Sequence, residues 1–138
     1  MLPGDLKPRM DKTVTENDMN QPVVQYASDD FVALRARSSV EEALECIRSS
    51  QTQSAILYFY VVDDEDRLVG VVPTRRLLTS SLAASVESIM TESLVAVPDN
   101  ANLLEALEFF ILYKFLAFPV VDADRKILGV IDVNLFTQ

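Results

Sequence analysis

The sequence VVDDEDRLVGVV at residues 61–72 recurs as VVDADRKILGVI at residues 120–131, without an insertion or deletion between the two copies. Each copy consists of an apolar run, a short acidic segment and a second apolar run that contains a glycine. This pattern predicts two short strands joined by a polar turn, which is a β-hairpin. Neither turn contains the Asn-Gly or Asp-Gly pair of the commonest two-residue turns, so the turn type stays open. The repetition predicts two similar halves.

The repeat continues towards the N-terminus. FVAL at residues 31–34 matches LVAV at 94–97, and EALE at 42–45 is repeated at 105–108, both 63 residues apart, whereas the hairpins are 59 apart. The first copy therefore has extra residues between its helix and its hairpin, near 49–54. One repeat of about 50 residues buries too little apolar surface to be stable alone. We therefore expect the halves to pack as one domain, with a single shared interior and two clefts between them.

Each half is predicted to follow the order β-α-β-β-α, which makes the fold class mixed α/β (α+β). Ser39 and Asn102 precede the first helix of each half, and a Glu three residues later completes a capping box in both. Pro73 suits the first turn of a helix, where its missing N–H costs nothing. The predicted strands are 31–34, 55–62, 68–72, 94–97, 116–121 and 127–131, and the predicted helices begin at Ser39, Pro73 and Leu103 and end near 49, 79 and 115.

The composition excludes several classes of function. The 138 residues carry a net charge of −9, whereas nucleic acids and anionic membranes bind basic surfaces. The absence of His excludes His-based acid–base catalysis and His-ligated zinc. The sequence has no glycine-rich phosphate loop and no Gly-x-Ser-x-Gly motif, so we expect a binding module and not an enzyme. Cys46 is the only cysteine, and its position in a helical pattern predicts a buried, inert thiol.

The chain shows neither a signal peptide nor a membrane-spanning stretch, so no direct membrane insertion is expected. Residues 1–27 are predicted to be a partly disordered leader, of which 22–26 docks on the domain as an edge strand. The first helix of the second half, predicted at 103–115, is apolar nearly all round. On this helix, Phe109 and Leu112 fall on the same side as Glu105 and Glu108. Either the other repeat covers this side or it is a dimer face.

Residues 132–138 correspond to only the start of the expected closing helix. This favours a fragment of a longer chain. The alternative is a short terminal turn that packs as it stands.

The doubled β-α-β-β-α order, with a Val-Val-Asp turn and a glycine in the following strand, resembles the tandem cystathionine-β-synthase (CBS) domain pair, or Bateman module. LAFPVVD at 116–122 resembles the family's second-strand motif, and IMT at 89–91 resembles the start of a repeat, which Ser28 matches in the first copy. The resemblance implies two repeats related by a pseudo-two-fold axis. It divides the chain into a leader at 1–27, a first repeat at 28–82 and a second repeat at 83–138.

A closer resemblance is to the cytosolic CBS pair of MgtE-type magnesium transporters. It is carried by DFVALR at 30–35, VEEAL at 40–44, LYFYVVD at 57–63 and RLVGVV at 67–72. The resemblance implies a cytoplasmic regulatory domain at the cytosolic face of a membrane, which forms a homodimer and responds to Mg²⁺. The membrane transport domain would belong to the parent chain. A nucleotide-binding energy sensor and a ligand-free dimerisation domain are the alternatives.

The family's adenine-nucleotide motif, Gly-hydrophobic-hydrophobic-Ser/Thr-x-x-Asp, is altered in both copies. After Gly70, Pro73 replaces the hydroxyl residue and Arg76 replaces the Asp; after Gly129, Asp132 and Leu135 stand at these positions. An adenine nucleotide is therefore expected in the first cleft if anywhere, since two arginines near a helix N-terminus would favour an anion. Their alternative role is to reach the acidic turns. The residues expected at the nucleotide cleft are Thr74, Arg75, Arg76, Pro119 and Asp132.

Consecutive carboxylates in the first hairpin turn predict a cation site, because their mutual repulsion favours a bound cation. Mg²⁺ keeps most of its waters and needs only one or two protein carboxylates. The alternative is a solvated turn. Asp99 and Asp122 of the second repeat are added to these candidates because of their positions in the MgtE-type sequences that this chain resembles. The residues expected to bind the metal are Asp63, Asp64, Asp66, Asp99 and Asp122.

Overall fold

The computed structural model describes residues 14–50 and 58–137. These residues form a mixed α+β fold with two three-stranded sheets, as the sequence predicted. The strands are β1 (Ala33–Arg35), β2 (Tyr58–Val62), β3 (Leu68–Pro73), β4 (Val97–Pro98), β5 (Ala117–Val121) and β6 (Ile127–Asp132). The α-helices are α1 (Val40–Arg48), α2 (Thr74–Thr79), α3 (Val86–Ile89) and α4 (Leu103–Tyr113), and 3₁₀-helices lie at Glu16–Asn20, Val23–Tyr26 and Val133–Phe136.

The two sheets have the same topology and the same register. In each, a short first strand runs parallel to the central strand, which pairs antiparallel with the third strand. Equivalent pairs, first sheet before second, are Leu34–Val61 and Val97–Val120 for the parallel strands, and Val61–Gly70 and Val120–Gly129 for the antiparallel strands. A bulge interrupts the hairpin at the same place in both. The internal repeat is therefore a structural repeat.

The two hairpin turns share the same backbone hydrogen bonds to an Asp side chain. The Asp63 Oδ1 atom accepts bonds of 2.9 Å from the backbone N–H groups of Glu65 and Arg67, and the Asp122 Oδ1 atom accepts the equivalent pair at 2.9 Å. Asp66 and Arg125 each have a left-handed backbone conformation, with φ of 65° and 66°. An Asp side chain that bonds to the backbone ahead of it thus closes both turns without an Asn-Gly pair.

Both predicted capping boxes are present. Ser39 and Asn102 accept the backbone N–H of Glu42 and Glu105 at 3.1 Å and 2.9 Å, and each Glu accepts the backbone N–H of its cap in return. The helix α4 ends at Tyr113, two residues before the predicted end near 115, and its C-cap Lys114 has φ of 59°. The prediction was wrong because no Gly marks this left-handed position.

The expectation of a single shared interior was wrong. Each repeat has its own apolar core, one around Val61 and Val72 and the other around Phe118 and Ile131. A third cluster, centred on Tyr60, Leu68 and Val121, lies between the two sheets. The sheets have apolar residues on both faces, one towards the helices of their own repeat and one towards the other sheet. This explains why the central strands are continuous apolar runs.

The segments that precede the repeats pack on the opposite repeat. We call residues 22–28 and 85–91 the lead-in segments. The first makes paired backbone hydrogen bonds of 2.8 Å between Ser28 and Val130, and the second pairs Thr91 with Val71 at 2.8 Å and 3.0 Å. Each lead-in segment also contributes a fully buried side chain to the core that it joins, Val23 in the second repeat and Val86 in the first. The two halves therefore share backbone and core contacts despite their separate cores.

Other expectations are corrected by the structure. The segment at 22–26 does dock, but as a 3₁₀-helix and not as an edge strand. Cys46 is exposed and not buried as predicted, because it lies on the solvent side of α1. The buried side of this helix carries Val40 and Ala43. The N-terminal part of the leader and the residues at 51–57, which include the start of one predicted strand, lie outside the described residues.

The outward side of α4 is only partly covered, and that cover comes from its own repeat. Phe109 is half-buried, with its ring edge-on to Phe118 at 5.8 Å, whereas Leu112 is 72% exposed. The other repeat therefore does not cover the whole face. At the C-terminal end, the Val133–Phe136 turn packs on the second core through Phe110, whose ring centroid lies 5.6 Å from that of Phe136.

Candidate ligand cleft and acidic turns

A cleft of about 210 Å³ lies between the two sheets and takes its walls from both repeats. Its lining carries tyrosine, threonine and serine hydroxyl groups on otherwise apolar walls. The lining residues are Tyr58, Tyr60, Val71, Pro73, Thr91, Ser93, Leu94, Val95, Phe115, Ala117 and Pro119. None of these side chains carries a formal charge, so the cleft suits an uncharged, weakly polar group.

Strand geometry explains this lining. Successive side chains of a strand point to opposite faces, so Tyr58 and Tyr60 face the other sheet while Phe59 points into the core of its own repeat. The same alternation places Ala117 and Pro119 on the cleft side of β5 and Phe118 in the second core. Two alternating faces therefore form opposite walls of the cleft.

Tyr60 is the buried polar group of the cleft. Its side chain is nearly inaccessible to solvent. Burial raises the pKa of the Tyr60 hydroxyl well above its usual value, and the nearby Tyr58 and Asp132 raise the pKa further. The hydroxyl therefore stays protonated and can donate a hydrogen bond at any physiological pH.

The predicted nucleotide residues are only partly brought together. Pro119 lines the cleft, and Asp132, which pairs with Ala117 across β5 and β6, accepts a 2.7 Å hydrogen bond from the backbone N–H of Asn134. Thr74 is the first residue of α2, next to Pro73 at the cleft wall. Arg75 is exposed and does not line the cleft.

Arg76 reaches the edge of the cleft from α2. Its guanidinium Nη1 donates hydrogen bonds of 2.9 Å to the Thr91 hydroxyl and 3.1 Å to the Ile89 carbonyl. Thr91 lines the cleft, so Arg76 stands directly behind one of its walls. Arg76 therefore contacts the edge of the cleft and not an acidic turn, which was its expected alternative role.

Sequence reasoning missed most of the cleft lining. Tyr58, Tyr60, Ser93 and Phe115 were not predicted there, although the period-two pattern of β2 could have identified the tyrosines. Phe115 could not be found in this way, because its place depends on the left-handed turn at Lys114.

The first acidic turn is occupied by arginines of the same chain. Asp63 and Glu65 contact Arg67 at 2.9 Å and 2.6 Å. Asp64 lies 3.2 Å from Arg37, and Asp66 lies 2.7 Å from Arg35. Hydrogen bonds from the Arg67 backbone, followed by those from Glu65 and the Arg67 side chain, lower the pKa of the Asp63 carboxyl. The repulsion among these carboxylates is therefore relieved without a bound cation, although each exposed pair adds little to stability.

The second acidic turn lacks counterparts of Arg35 and Arg37, and it has Lys126 in place of Arg67. The positions equivalent to Arg35 and Arg37 are Pro98 and Asn100, and the residue between them is Asp99. The Asp99 backbone N–H donates a 2.9 Å bond to the Val121 carbonyl, which places Asp99 beside the start of the turn at Asp122. Two predicted metal residues thus lie next to each other here.

No group of three or more His, Cys, Asp or Glu side chains in residues 14–50 and 58–137 is arranged to hold a metal ion. Mg²⁺ needs only one or two protein carboxylates, because water fills most of its coordination shell. None of the helices in the same ranges combines the length and apolar character that a membrane crossing requires.

Known proteins match most of this chain in sequence and in structure. The chain is 31% identical over 106 residues to the magnesium transporter MgtE of Thermus thermophilus, which is 76% of this chain and 24% of the relative. It is 31% identical over 107 residues to inosine-5'-monophosphate dehydrogenase of Aquifex aeolicus, 75% of this chain and 21% of that enzyme. The chain therefore spans about a quarter or less of these relatives.

A solved structure, the cytosolic domain of the Mg²⁺ channel MgtE in complex with ATP, matches with a TM-score of 0.78 and 28% identity. The match covers 88% of this chain and 49% of that one. The model of the CBS domain matches residues 23–83 and 86–134. The chain therefore belongs to the CBS-domain family and carries two CBS domains in tandem.

Proposed function

We propose that this chain is the regulatory CBS pair of a magnesium or other divalent-cation transporter, and that it acts through a cation-dependent rearrangement of a homodimer. The observation that carries this proposal is the similarity to MgtE over three-quarters of the chain, supported by a structural match to the MgtE cytosolic domain. The membrane transport domain would belong to the parent chain, and the CBS pair would lie at its cytosolic face. The module binds and rearranges; it does not catalyse a reaction.

The cation would bind at Asp99 and Asp122. The neighbouring Pro98 and Asn100 offer no counter-charge, unlike Arg35 and Arg37 at the equivalent positions of the first repeat. Because two carboxylates do not complete the coordination shell, waters or a second copy of the chain would supply the remaining oxygens. Cation binding between two copies would then favour one dimer arrangement.

The test is thermal unfolding and sedimentation of the chain in millimolar MgCl₂ and in EDTA. We expect Mg²⁺ to raise the melting temperature or shift the dimer equilibrium, since a ligand stabilises the state that binds it. Asp99→Asn combined with Asp122→Asn should abolish the response, and Asn at 122 can still accept the hydrogen bonds that close the turn. Asp124→Asn, which removes one carboxylate from the same hairpin outside the proposed site, is the control. Curves that are identical in MgCl₂ and EDTA would count against the proposal.

A second candidate function is adenine-nucleotide binding in the cleft. Two observations favour it: the cleft has the size and apolar walls for a base, and a similar domain has been solved with ATP. A ligand pocket usually measures about 300–1,000 Å³, so the sugar and phosphates would lie outside the cleft. Arg76, which donates a hydrogen bond to Thr91 at the cleft edge, would be the cation that contacts a phosphate.

Calorimetry with ATP, ADP and AMP tests this second function. We expect binding that Arg76→Ala abolishes and that Arg75→Ala, which removes an equal charge from the adjacent position, retains. No heat with any of the three nucleotides would exclude it. A ligand-free dimerisation domain is the function left if neither Mg²⁺ nor nucleotides produce a response.

A further inference from the structure

One side chain belongs both to the cleft and to the exposed apolar end of α4. Phe115 lines the cleft, yet it is 43% exposed. Its neighbours Leu112 and Leu116 are also exposed, as is Ile111, which is 67% accessible. We call Ile111, Leu112, Phe115 and Leu116 the α4 patch. Clustered apolar groups of this kind mark contact surfaces more often than scattered single residues do.

The aromatic rings around Phe115 form a continuous set. Its centroid lies 5.5 Å from the ring of Phe118, which is fully buried in the second core, and 6.4 Å from the ring of Tyr113. Tyr113 in turn lies 5.8 Å from Phe109 on α4. Because interlocked rings prefer a few discrete arrangements, a displacement of Phe115 would be passed to the end of α4.

The occupant that fits the α4 patch is a second copy of this chain. Glu108 and Lys114 lie three residues on either side of Ile111. A two-fold axis near Ile111 would therefore bring Glu108 of each copy opposite Lys114 of the other, around a centre of exposed isoleucine and leucine. Such self-complementarity is what an isologous dimer requires.

We propose that Phe115 couples the cleft to self-association through the α4 patch, so that filling the cleft changes the dimer equilibrium only when an aromatic ring is present at 115. This inference rests on the homodimer of the proposed function and names the residue that would regulate it. It does not require the ligand to be known.

The experiment fills part of the cleft with a larger side chain and measures the effect on the α4 patch. Ser93→Leu adds an apolar group at the cleft wall, and Ala117→Leu does the same from the opposite wall if the first variant does not fold. The chain has no Trp, so Leu112→Trp provides a single fluorophore in the patch. We expect the filled cleft to shift the emission of this introduced indole and, in chains that retain Leu112, to change the dimer dissociation constant by about 2- to 30-fold in sedimentation.

Phe115→Ala should remove both effects of cleft filling, in a double-mutant cycle. Leu116→Ala, which shortens a patch residue that does not line the cleft, should leave them in place. If filling the cleft gives equal shifts with Phe and with Ala at position 115, or no shift with either, the proposed coupling is wrong. If the chain is monomeric at every concentration, the homodimer and the self-association step are both wrong, while the emission of the introduced indole still decides whether Phe115 couples the two sites.

Discussion

At the scale of single residues, Gly70 and Gly129 are required because a side chain would not fit there, and not because the backbone has an unusual angle. A Cβ atom at Gly70 would lie 2.5 Å from the Met90 Sδ atom, and one at Gly129 would lie 2.8 Å from the Ala27 Cβ atom and 2.9 Å from the Ser28 carbonyl oxygen. Both glycines thus admit the close approach of a lead-in segment, which is why a glycine stands at the same place in both repeats.

We predict that Gly129→Ala destabilises the protein more than Gly70→Ala. At Gly70 the nearest atoms belong to the flexible Met90 side chain, whereas at Gly129 a backbone oxygen and a rigid Cβ atom must move. Overpacking of this kind costs about 1–3 kcal/mol, and we expect Gly129→Ala at the upper end. Urea unfolding measures both, and Met90→Ala should partly offset the cost at Gly70. An equal cost for the two substitutions would contradict this explanation.

A second residue-scale prediction concerns alkaline pH. Burial raises the pKa of Tyr60 in the folded state, so the contribution of this group to stability is complete below the unfolded pKa of about 10 and is lost as the pH rises above it. The free energy of unfolding of the wild type should therefore fall above about pH 10, and that of Tyr60→Phe should fall less steeply. Tyr26→Phe is a useful comparison, since the hydrogen bond to Asp18 raises the pKa of that half-buried residue for a different reason. Parallel curves for the wild type and Tyr60→Phe would be the contrary result.

At the scale of elements, the sequence predicted the parts that depend on local patterns. The capping boxes at Ser39 and Asn102 and the hairpins on either side of the acidic turns are set by neighbouring residues, and the structure has them. The helix α3 at Val86–Ile89 was not predicted, because four residues carry no helical period and its first residue is held by the core of the other repeat. The lining of the cleft depends on how the two sheets meet, which local patterns do not encode.

Lys114 gives an element-scale prediction. Its φ of 59° at the end of α4 is unfavourable for a residue with a Cβ atom and suits Gly at this position. Lys114→Gly should stabilise the protein by about 0.5–1 kcal/mol, because the relief of strain exceeds the added freedom of the unfolded chain. Lys114→Ala removes the charge but keeps the strained angle, so it should give no gain in chemical denaturation. A larger gain from Ala than from Gly would show that the charge, not the backbone angle, decides stability here.

At the scale of the whole molecule, the exchange of lead-in segments makes the two CBS repeats interdependent. The cleft lies between sheets that are joined by the cluster around Tyr60, Leu68 and Val121 and by a 2.9 Å backbone bond from Leu68 to Arg125. Each lead-in segment then crosses to the opposite third strand. The division at 28–82 and 83–138 stays a prediction; it follows the sequence repeat, whereas Val86 packs in the core of the first repeat.

This arrangement predicts one cooperative unfolding transition, although the chain has two apolar cores. Val23 and Val86 are fully buried, each in the core of the repeat that its lead-in segment does not precede. Val23→Ala and Val86→Ala should each cost about 1–3 kcal/mol, through lost burial and the cavity that remains, and each should shift the entire transition. Calorimetry combined with Tyr fluorescence and circular dichroism measures whether the probes coincide. Val24→Ala, at a partly exposed position in the first lead-in segment, is the matched control and should change little. Two separate transitions, with only one moved by each substitution, would mean that the repeats unfold independently and that the lead-in contacts do not join them energetically.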